Sequence, residues 1–598
     1  MGTQNSASTL MRRAIRQRWV EATPDTERAT ALAKAAKLPH VLAELLVARQ
    51  IALPEDAFAY LNPDMAQLHD PLRMRGMQEA VDRVERAITA KELILLYGDY
   101  DVDGTTAVVL LKTAIEMLGG LVRFHVPHRL REGYGLQSSV LEEAFDSGVR
   151  LVITVDTGMR AFAEAETARR LGLDLIITDH HLPEAHESVP DALAILNPNQ
   201  YGCDYPEKSL CGAAIAFKLA QALLERHDRE RTHTKILPSF LKMTAIATIA
   251  DAVPLKGENR VIAALGLREL GRPVGTGLRE LFAAAKLDPA SKPITGFDVA
   301  FRLAPRINAA GRMDVASEVI ELFTTREVTR ARELAQKLER LNRERRDTES
   351  FALRSIEERL ETDALLADER LLVVDGEGWH RGVIGILASR VVDRTAKPAL
   401  VVSVEDGVAH GSGRSVDGFH LLNAIESCAD LFTRFGGHAF AVGFALPAEQ
   451  LPALKNRLSI YAAEHLAARE PERVLHIHAE LPLDRITAVL AGWLRKLEPF
   501  GHGNPEPTFV ARNVRLIGPV RLMKERHIRL ELSQQPKDPA AFSGHAMRAV
   551  GWDLAWMAES LNLKEGSCID VAYRLRENDH PQFGGIEIEI AGMRLHQP

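Results

Sequence analysis

The sequence predicts an α/β protein: a parallel-sheet domain, a long helix leading to a smaller α/β domain, and a C-terminal β-barrel. Three observations carry this. From Leu93 to about Pro206, apolar strand-like runs alternate with helical stretches, the pattern of a parallel sheet. A second alternation begins at Leu371-Leu372-Val373-Val374-Asp375. After about Glu470 the chain changes to short alternating strands, as small barrels do.

Bulk properties agree. At 598 residues the chain is too long for one core, and three or four domains are expected. Hydrophobic content of 46% and charged content of 26% are those of globular proteins. No apolar run reaches the ~18 residues of a membrane span. Met1 to Val20 carries several Arg without a secretory apolar core, so a cytoplasmic location is expected. Cys203, Cys211, Cys428 and Cys568 are too scattered for a disulfide framework or a zinc ribbon, and read as buried or incidental thiols. The net charge of −7 excludes a uniformly basic surface but leaves room for a positive groove.

Up to about residue 90 the chain reads as helices interrupted at Leu53-Pro54, Asn62-Pro63 and Asp70-Pro71. Crossover helices are expected over Leu110–Leu118 and Ala161–Leu171, and further helices over Ala213–Leu224 and Leu237–Ala250, the last ending on Asp251. Val328 to Leu360 has almost no Gly or Pro. Leu334, Leu338 and Leu341, then Phe351, Ile356 and Leu360, give it a narrow apolar seam. Its flank alternates Arg340, Arg343, Arg345 and Arg346 with Glu339, Glu344 and Asp347, either a solvated face or a phosphate-facing stripe. The second α/β unit continues through a helix at Val383–Val392 and a strand at Ala399–Val404. Two Gly-rich turns follow, Gly411-Ser412-Gly413-Arg414-Ser415 and Gly436-Gly437-His438. Barrel strands are expected at Val474–Ile477, Phe509–Ile517, His527–Leu532, Cys568–Arg574 and Ile586–Ile590.

Acidic clusters stand where three apolar strands run out. Leu93–Tyr97 leads to Gly98-Asp99-Tyr100-Asp101-Val102-Asp103-Gly104, Leu151–Val155 to Asp156-Thr157-Gly158, and Leu173–Thr178 to Asp179-His180-His181. In a parallel sheet these ends open into one crevice, where gathered carboxylates would repel one another without a cation. Asp101 and Asp103, two apart, would share one side of an extended segment, ~7 Å apart. With Asp156 and His180 they suit divalent ions, and the carboxylate–imidazole mixture favours Mn²⁺ while leaving Mg²⁺ possible. Two ions ~3.5–4 Å apart clamp a phosphate and activate water, so metal-assisted phosphoester hydrolysis is the expected chemistry.

The motifs Asp99-Tyr100-Asp101-Val102-Asp103-Gly104, Val155-Asp156-Thr157-Gly158 and Asp179-His180-His181 resemble those of the DHH phosphoesterase superfamily. Within it the whole chain is similar to the bacterial exonucleases that degrade single-stranded DNA in the 5′→3′ direction. The resemblance implies an N-terminal helical part (1–90) of the DHH module, a DHH catalytic domain (91–327), a connecting helix (328–362), a DHHA1 substrate-binding domain (363–470) and a nucleic-acid-binding OB-fold (471–598).

It makes Asp101, Asp103, Asp156, His180 and Asp251 metal ligands, Asp99 a supporting acid, and His181 a residue that orients or protonates the scissile phosphate region. Arg129, Arg306, Asn308 and Arg312 match positions near the DNA backbone. Ser412 and Arg414 fit a phosphate pocket, because glycines let backbone amides approach while Arg offers a two-pronged donor. Gly437 and His438 are expected at the same cleft. Phe509, Tyr573 and Phe583 are either stacking residues or core.

The implied activity is processive 5′→3′ hydrolysis of single-stranded DNA to 5′-mononucleotides, in recombination and repair. Two Mn²⁺ or Mg²⁺ ions serve as cofactors, with a single-strand-binding protein and a RecQ-type helicase as partners of a monomeric enzyme. The alternatives are a DHH phosphoesterase acting on short oligoribonucleotides or cyclic dinucleotides, and a catalytically silent DNA-binding scaffold. The ~130-residue β module favours a polymer, and the full ligand set argues against the scaffold.

Overall fold

The computed structural model describes residues 16–128, 135–183, 188–272, 274–312, 315–466, 472–534, 546–578 and 584–597. The chain forms two compact units. One comprises 59–344 with the short segment 497–505; the other comprises the chain up to Phe58 with 345–496 and 506–598.

In the first unit, β1 (Leu93–Tyr97), β2 (Leu121–His125), β3 (Val149–Val155), β4 (Asp174–Thr178) and β5 (Ala194–Leu196) form one sheet in the order β2-β1-β3-β4-β5. All neighbours are parallel. The central strands read as unbroken apolar runs because both faces are covered: Ile94, Leu96, Ile153, Val155 and Ile176 pack in one cluster, Leu95, Tyr97, Val152, Leu175 and Ile177 in another. From β1 the chain steps outward to β2 and then returns to the far side of β1 with β3. That reversal is the point at which a parallel sheet opens a crevice at its carboxyl edge.

Helix α1 (Val102–Met117) follows β1 and is buried from Val102 to Leu111. It packs against α2 (Gly212–Arg231) and α3 (Leu237–Ala250). Helix α4 (Ala304–Arg312) continues out of a π-helical stretch over Val299–Leu303. Helix α5 (Val328–Thr362) has 35 residues. Its seam is Leu334 and Leu338 in the first unit, then Ala352, Leu353, Ile356 and Leu360 in the second. Phe351, expected in the seam, is 65% exposed, because the 3.6-residue repeat carries position 352 onto the apolar side instead.

In the second unit, β6 (Leu372–Glu377), β7 (Ala399–Glu405), β8 (Val408–Arg414), β9 (Arg434–His438) and β10 (Ala441–Pro447) form a mixed sheet in the order β9-β10-β8-β7-β6. The two Gly-rich segments expected as turns are strands β8 and β9. Gly411 and Gly413, two apart, face the core where Phe444 and Val442 lie, and a Cβ at Gly411 would sit 2.0 Å from the Phe444 ring. Glycine there makes room for a neighbour's ring rather than for a turn. Helix α6 (Ile384–Thr395) covers this sheet.

The barrel strands are β11 (Phe509–Leu516), β12 (His527–Ser533), β13 (Met547–Gly551), β14 (Cys568–Asn578) and β15 (Gly585–Leu595). Pairings run β11-β14-β15-β13-β12, and β12 pairs back to β11, so the ring closes as in an OB-fold. Phe509 and Tyr573 are buried in its core, which removes them as stacking residues; Phe583 lies outside the described residues.

The compact unit that holds the first sheet takes in the chain from Ala59. Arg16–Glu21 is a strand paired in parallel with Glu472–Ile477, and Arg18 bonds Glu472, 454 residues away. Conversely, 497–505 leaves the C-terminal module for the first unit. Among the described residues, no helix is long and apolar enough to cross a membrane. Cys203, Cys211 and Cys428 are buried free thiols, as expected.

Candidate active site

The loops after β1, β3 and β4 and the end of α3 converge at the sheet reversal. Asp101 caps α1, its carboxylate accepting from the Gly104 N–H at 3.0 Å. Asp103 lies in the first helical turn, so the two acids do not share an extended segment as their spacing suggests; the helix begins between them. Asp103 is 1% exposed and accepts from the Gly212 N–H at 2.6 Å and the Ala213 N–H at 2.8 Å. The free amides at the start of α2 thus orient it, as helix N-termini orient anions.

Asp156 adopts a left-handed backbone, φ 62°, a strained conformation that non-glycine residues keep mainly at functional sites. Glycine at 212 permits the approach of α2: a Cβ there would lie 2.6 Å from the Asp156 Cβ.

His180 Nε2 stands 3.2 Å from Asp156 Oδ1 and 3.9 Å from both Asp103 Oδ2 and Asp251 Oδ2. Three overlapping triads, Asp156–His180–His181, Asp103–His180–Asp251 and Asp99–Asp101–Asp156, each bring one donor atom per residue within 4.8 Å of the others. Asn199 Nδ2 holds the His180 carbonyl at 3.1 Å and Asn197 Nδ2 the His181 carbonyl at 2.9 Å. Asp179 is buried and accepts from the N–H of His180 at 2.8 Å, from that of Met159 at 2.8 Å, and from the His181 ring at 2.7 Å.

Burial, and then the Asp103 charge, lifts the Asp101 carboxyl above its ordinary range. Burial and then Asp103, Asp101 and Asp99 lift Asp156 well above it. The same two influences, burial and neighbouring acids, push Asp251 to about 8. Asp179 differs: burial pushes it up, but the His181 ring and backbone N–H groups outweigh this and hold it below the usual value. Burial pulls His181 down, and the Asp179 hydrogen bond and charge more than compensate, raising it to about 8.

Among the described residues, the buried Asp156 Oδ1 accepts no hydrogen bond, although His180 Nε2 is 3.2 Å away. Acids raised by one another beside such an oxygen are a donor set for divalent cations, and the residues present fit Mn²⁺ or Mg²⁺.

The residues expected to meet DNA divide differently. Arg129 lies outside the described residues. Asn308 Oδ1 accepts from the Val102 N–H at 3.1 Å, so its side chain braces the start of α1. Arg306 is nearly buried and pairs with Glu339 at 2.7 Å. Arg312 ends α4, part-exposed. Gly311, not singled out in the sequence, lets α4 reach the acidic loop: a Cβ would meet the Tyr100 carbonyl at 2.3 Å.

In the second unit, Ser412 and Arg414 stand half-buried on β8 at the start of the 12-residue helix α6. A Cβ at Gly385 would lie 3.2 Å from Ser412 Oγ and 3.5 Å from Arg414 Nη2. Burial alone pulls the Arg414 guanidinium below its ordinary value. Gly437, φ 148°, lies on β9, where a Cβ would meet the Ala441 carbonyl at 2.2 Å. His438 ends that strand, exposed.

Asp179, Asn197, Asn199 and Gly212 are the supporting residues that sequence reasoning did not assign. Asp179 stood inside a recognised motif; the others carry no local signal.

Family models match along the chain: the DHH family, N-terminal domain, over residues 93–248, the DHHA1 domain over 368–464, and the RecJ OB domain over 477–591. The chain is 38% identical over 530 residues to the single-stranded-DNA-specific exonuclease RecJ of Bacillus subtilis (strain 168), covering 87% of this chain and 65% of that relative, a little under two thirds of its length. It is 32% identical to the single-stranded-DNA-specific exonuclease RecJ of Escherichia coli (strain K12), covering 86% of this chain and 89% of the relative. The crystal structure of RecJ from Thermus thermophilus in complex with Mn²⁺ superposes with a TM-score of 0.79 at 28% identity, covering 98% of this chain and 80% of that one. A complex of the same protein with Mg²⁺ gives a TM-score of 0.74.

Proposed function

The chain belongs to the family of single-stranded-DNA-specific RecJ exonucleases, and we propose that it degrades single-stranded DNA processively from 5′ ends to 5′-mononucleotides. The observation that carries this is the convergence of Asp101, Asp103, Asp156, His180 and Asp251 on one point of the sheet. These five would hold two divalent ions, Mn²⁺ by preference, with Asp99 as a supporting acid. Bound there, such ions supply Lewis acidity to the phosphate and a nucleophilic water at neutral pH.

The chain's own residues do the rest. Asp103, fixed by the Gly212 and Ala213 amides, and Asp156, fixed by its backbone turn, set the ligand geometry before substrate arrives. His181, raised to about 8 against Asp179, carries a proton at neutral pH and delivers it to the departing 3′ oxygen. Arg414 and Ser412, beside the α6 N-terminus, hold a substrate phosphate, with Gly437 and His438 alongside. Arg129, Arg306, Asn308 and Arg312 serve the DNA track, Asn308 by bracing α1 and Arg306 from its pair with Glu339. Phosphate contacts of this kind are independent of sequence and weaken as salt rises.

The match to the RecJ OB domain supports a polymer substrate over short oligoribonucleotides or cyclic dinucleotides. A monomer acting in the cytoplasm, with a single-strand-binding protein and a RecQ-type helicase in recombination and repair, completes the proposal. Digestion of end-labelled strands blocked at the 5′ or the 3′ end tests it. Mononucleotides released only from open 5′ ends are expected. Equal digestion of 5′-blocked strands would refute the polarity, and loss of dinucleotides with long DNA intact would refute the substrate.

A further inference from the structure

The loop that carries Asp251 is held by a segment from far along the chain. Asp251 closes α3, and the next residue, Ala252, turns back with φ 58°, a left-handed conformation that costs an alanine energy. The loop then runs through Val253, Pro254 and Leu255 to the following helix, Gly257–Leu270. The Leu255 N–H donates to the His502 carbonyl at 2.7 Å. A Cβ at Gly503, φ 71°, would lie 3.0 Å from the Pro254 Cβ, and one at Gly501 would lie 2.8 Å from Leu255 Cδ1. Glycine at both positions lets the 497–505 backbone lie flat against Pro254 and Leu255.

That segment is itself tightly built. Gly501 and Asn504 exchange backbone hydrogen bonds at 3.0 and 3.1 Å. The Asn504 side chain, 1% exposed, donates to the carbonyls of Leu497 and Pro499, both at 2.9 Å, and accepts from the Tyr60 hydroxyl at 2.9 Å. Buried Arg260 donates to the Leu497 carbonyl at 2.9 Å and stacks 3.8 Å over the Tyr60 ring. These bonds hold the strap in shape from within and against Tyr60 and Arg260.

We propose that the 497–505 strap, locked by Asn504, is a positioning element for Asp251. This stretch of the C-terminal sequence thereby sets the metal affinity of the catalytic centre. The inference rests on Asp251 being a metal ligand. If the strap only glued two parts of the fold together, loosening it would lower stability and leave metal binding alone. If it positions Asp251, loosening it weakens metal binding, as substitutions that support ligands from outside do, by ~10-fold or more.

The test uses the full-length chain. Mn²⁺ affinity is measured by titration calorimetry and the melting temperature in chelator for wild type, Asn504→Ala, Tyr60→Phe and Asp251→Asn. Asn504→Ala is expected to raise the Mn²⁺ dissociation constant about tenfold. Hydrolysis at limiting Mn²⁺ falls in parallel and returns with excess Mn²⁺, while KM for DNA stays put. Tyr60→Phe, which removes one hydrogen bond and keeps the ring, gives a smaller shift the same way and carries the test should Asn504→Ala fail to fold. Lower melting temperatures with Mn²⁺ affinity unchanged would overturn the inference. Unchanged affinity in Asp251→Asn would overturn the ligand assignment, and the strap's role with it; weakened affinity there but not in the strap variants would overturn the strap alone.

Discussion

Asp103 holds its carboxylate against the Gly212 N–H, 109 residues further along the chain, at 2.6 Å. The missing side chain of Gly212 leaves space for Asp156, whose Cβ would be 2.6 Å from a Cβ at 212. One glycine therefore fixes two acids. Gly212→Ala is expected to displace Asp156 or pull α2 away from Asp103, and a displacement of that size costs ~10²-fold in rate. Steady-state hydrolysis of single-stranded DNA, with circular dichroism to establish folding, checks it; activity within about threefold of wild type would show that the approach is not needed.

Stability of the metal-free protein should fall as pH rises. Asp251 is lifted from 3.8 to about 8, so between those values the folded state keeps a proton that the unfolded state has lost, and each step up in pH disfavours folding. His181 is lifted from 6.5 to about 8; its pairing stabilises fully below 6.5 and is lost as pH passes about 8. Both act in one direction between 6.5 and 8. Thermal melts in chelator should therefore decline over that range, and saturating Mn²⁺, which replaces the protons, should flatten the decline. A metal-free melting temperature that climbs from pH 6.5 to 8 would contradict the assignment.

Asp179→Asn removes the main influence that holds His181 up, leaving burial opposed only by the Asp251 and Asp99 charges. With His181 as the proton donor, the alkaline limb of the kcat profile is expected to move to lower pH by about one unit or more, with KM little changed. A limb that stays in place would assign the proton to another group.

Arg414→Ala should raise KM for DNA ~10-fold or more, the worth of a charged hydrogen bond, and leave kcat nearly intact. Arg414→Lys should recover only part, since a lysine lacks the two-pronged donor. Competition with inorganic phosphate provides a second readout: wild type should be inhibited and the alanine variant should not.

The acidic crevice was legible because its signals are local. A strand that ends in an acid keeps both facts within about seven or eight residues, and three such strands in a parallel sheet must share an edge. Helix α3 matched its expected span, Leu237–Ala250, since Pro238 near its start and a following Asp-Ala-Val-Pro mark its ends. What escaped was everything set by distant packing. The strand Arg16–Glu21 exists only because Glu472–Ile477 lies beside it. The glycines of β8 resembled a turn, yet their partners are the side chains of Phe444 and Val442. The hydrogen bond from the Val102 N–H to the Asn308 side chain joins residues 206 apart in the chain. The 497–505 strap, inside an expected barrel domain, has no periodicity to mark it.

The most direct test of the central claim, that the acids assemble around divalent ions, is calorimetric titration of Mn²⁺ into the metal-free full-length chain and its Asp156→Asn variant. Wild type is predicted to bind two ions, and the variant to lose at least one together with all hydrolysis of single-stranded DNA. Asparagine tolerates the left-handed backbone at 156, so the variant should fold. Two ions bound equally by both chains would contradict the account.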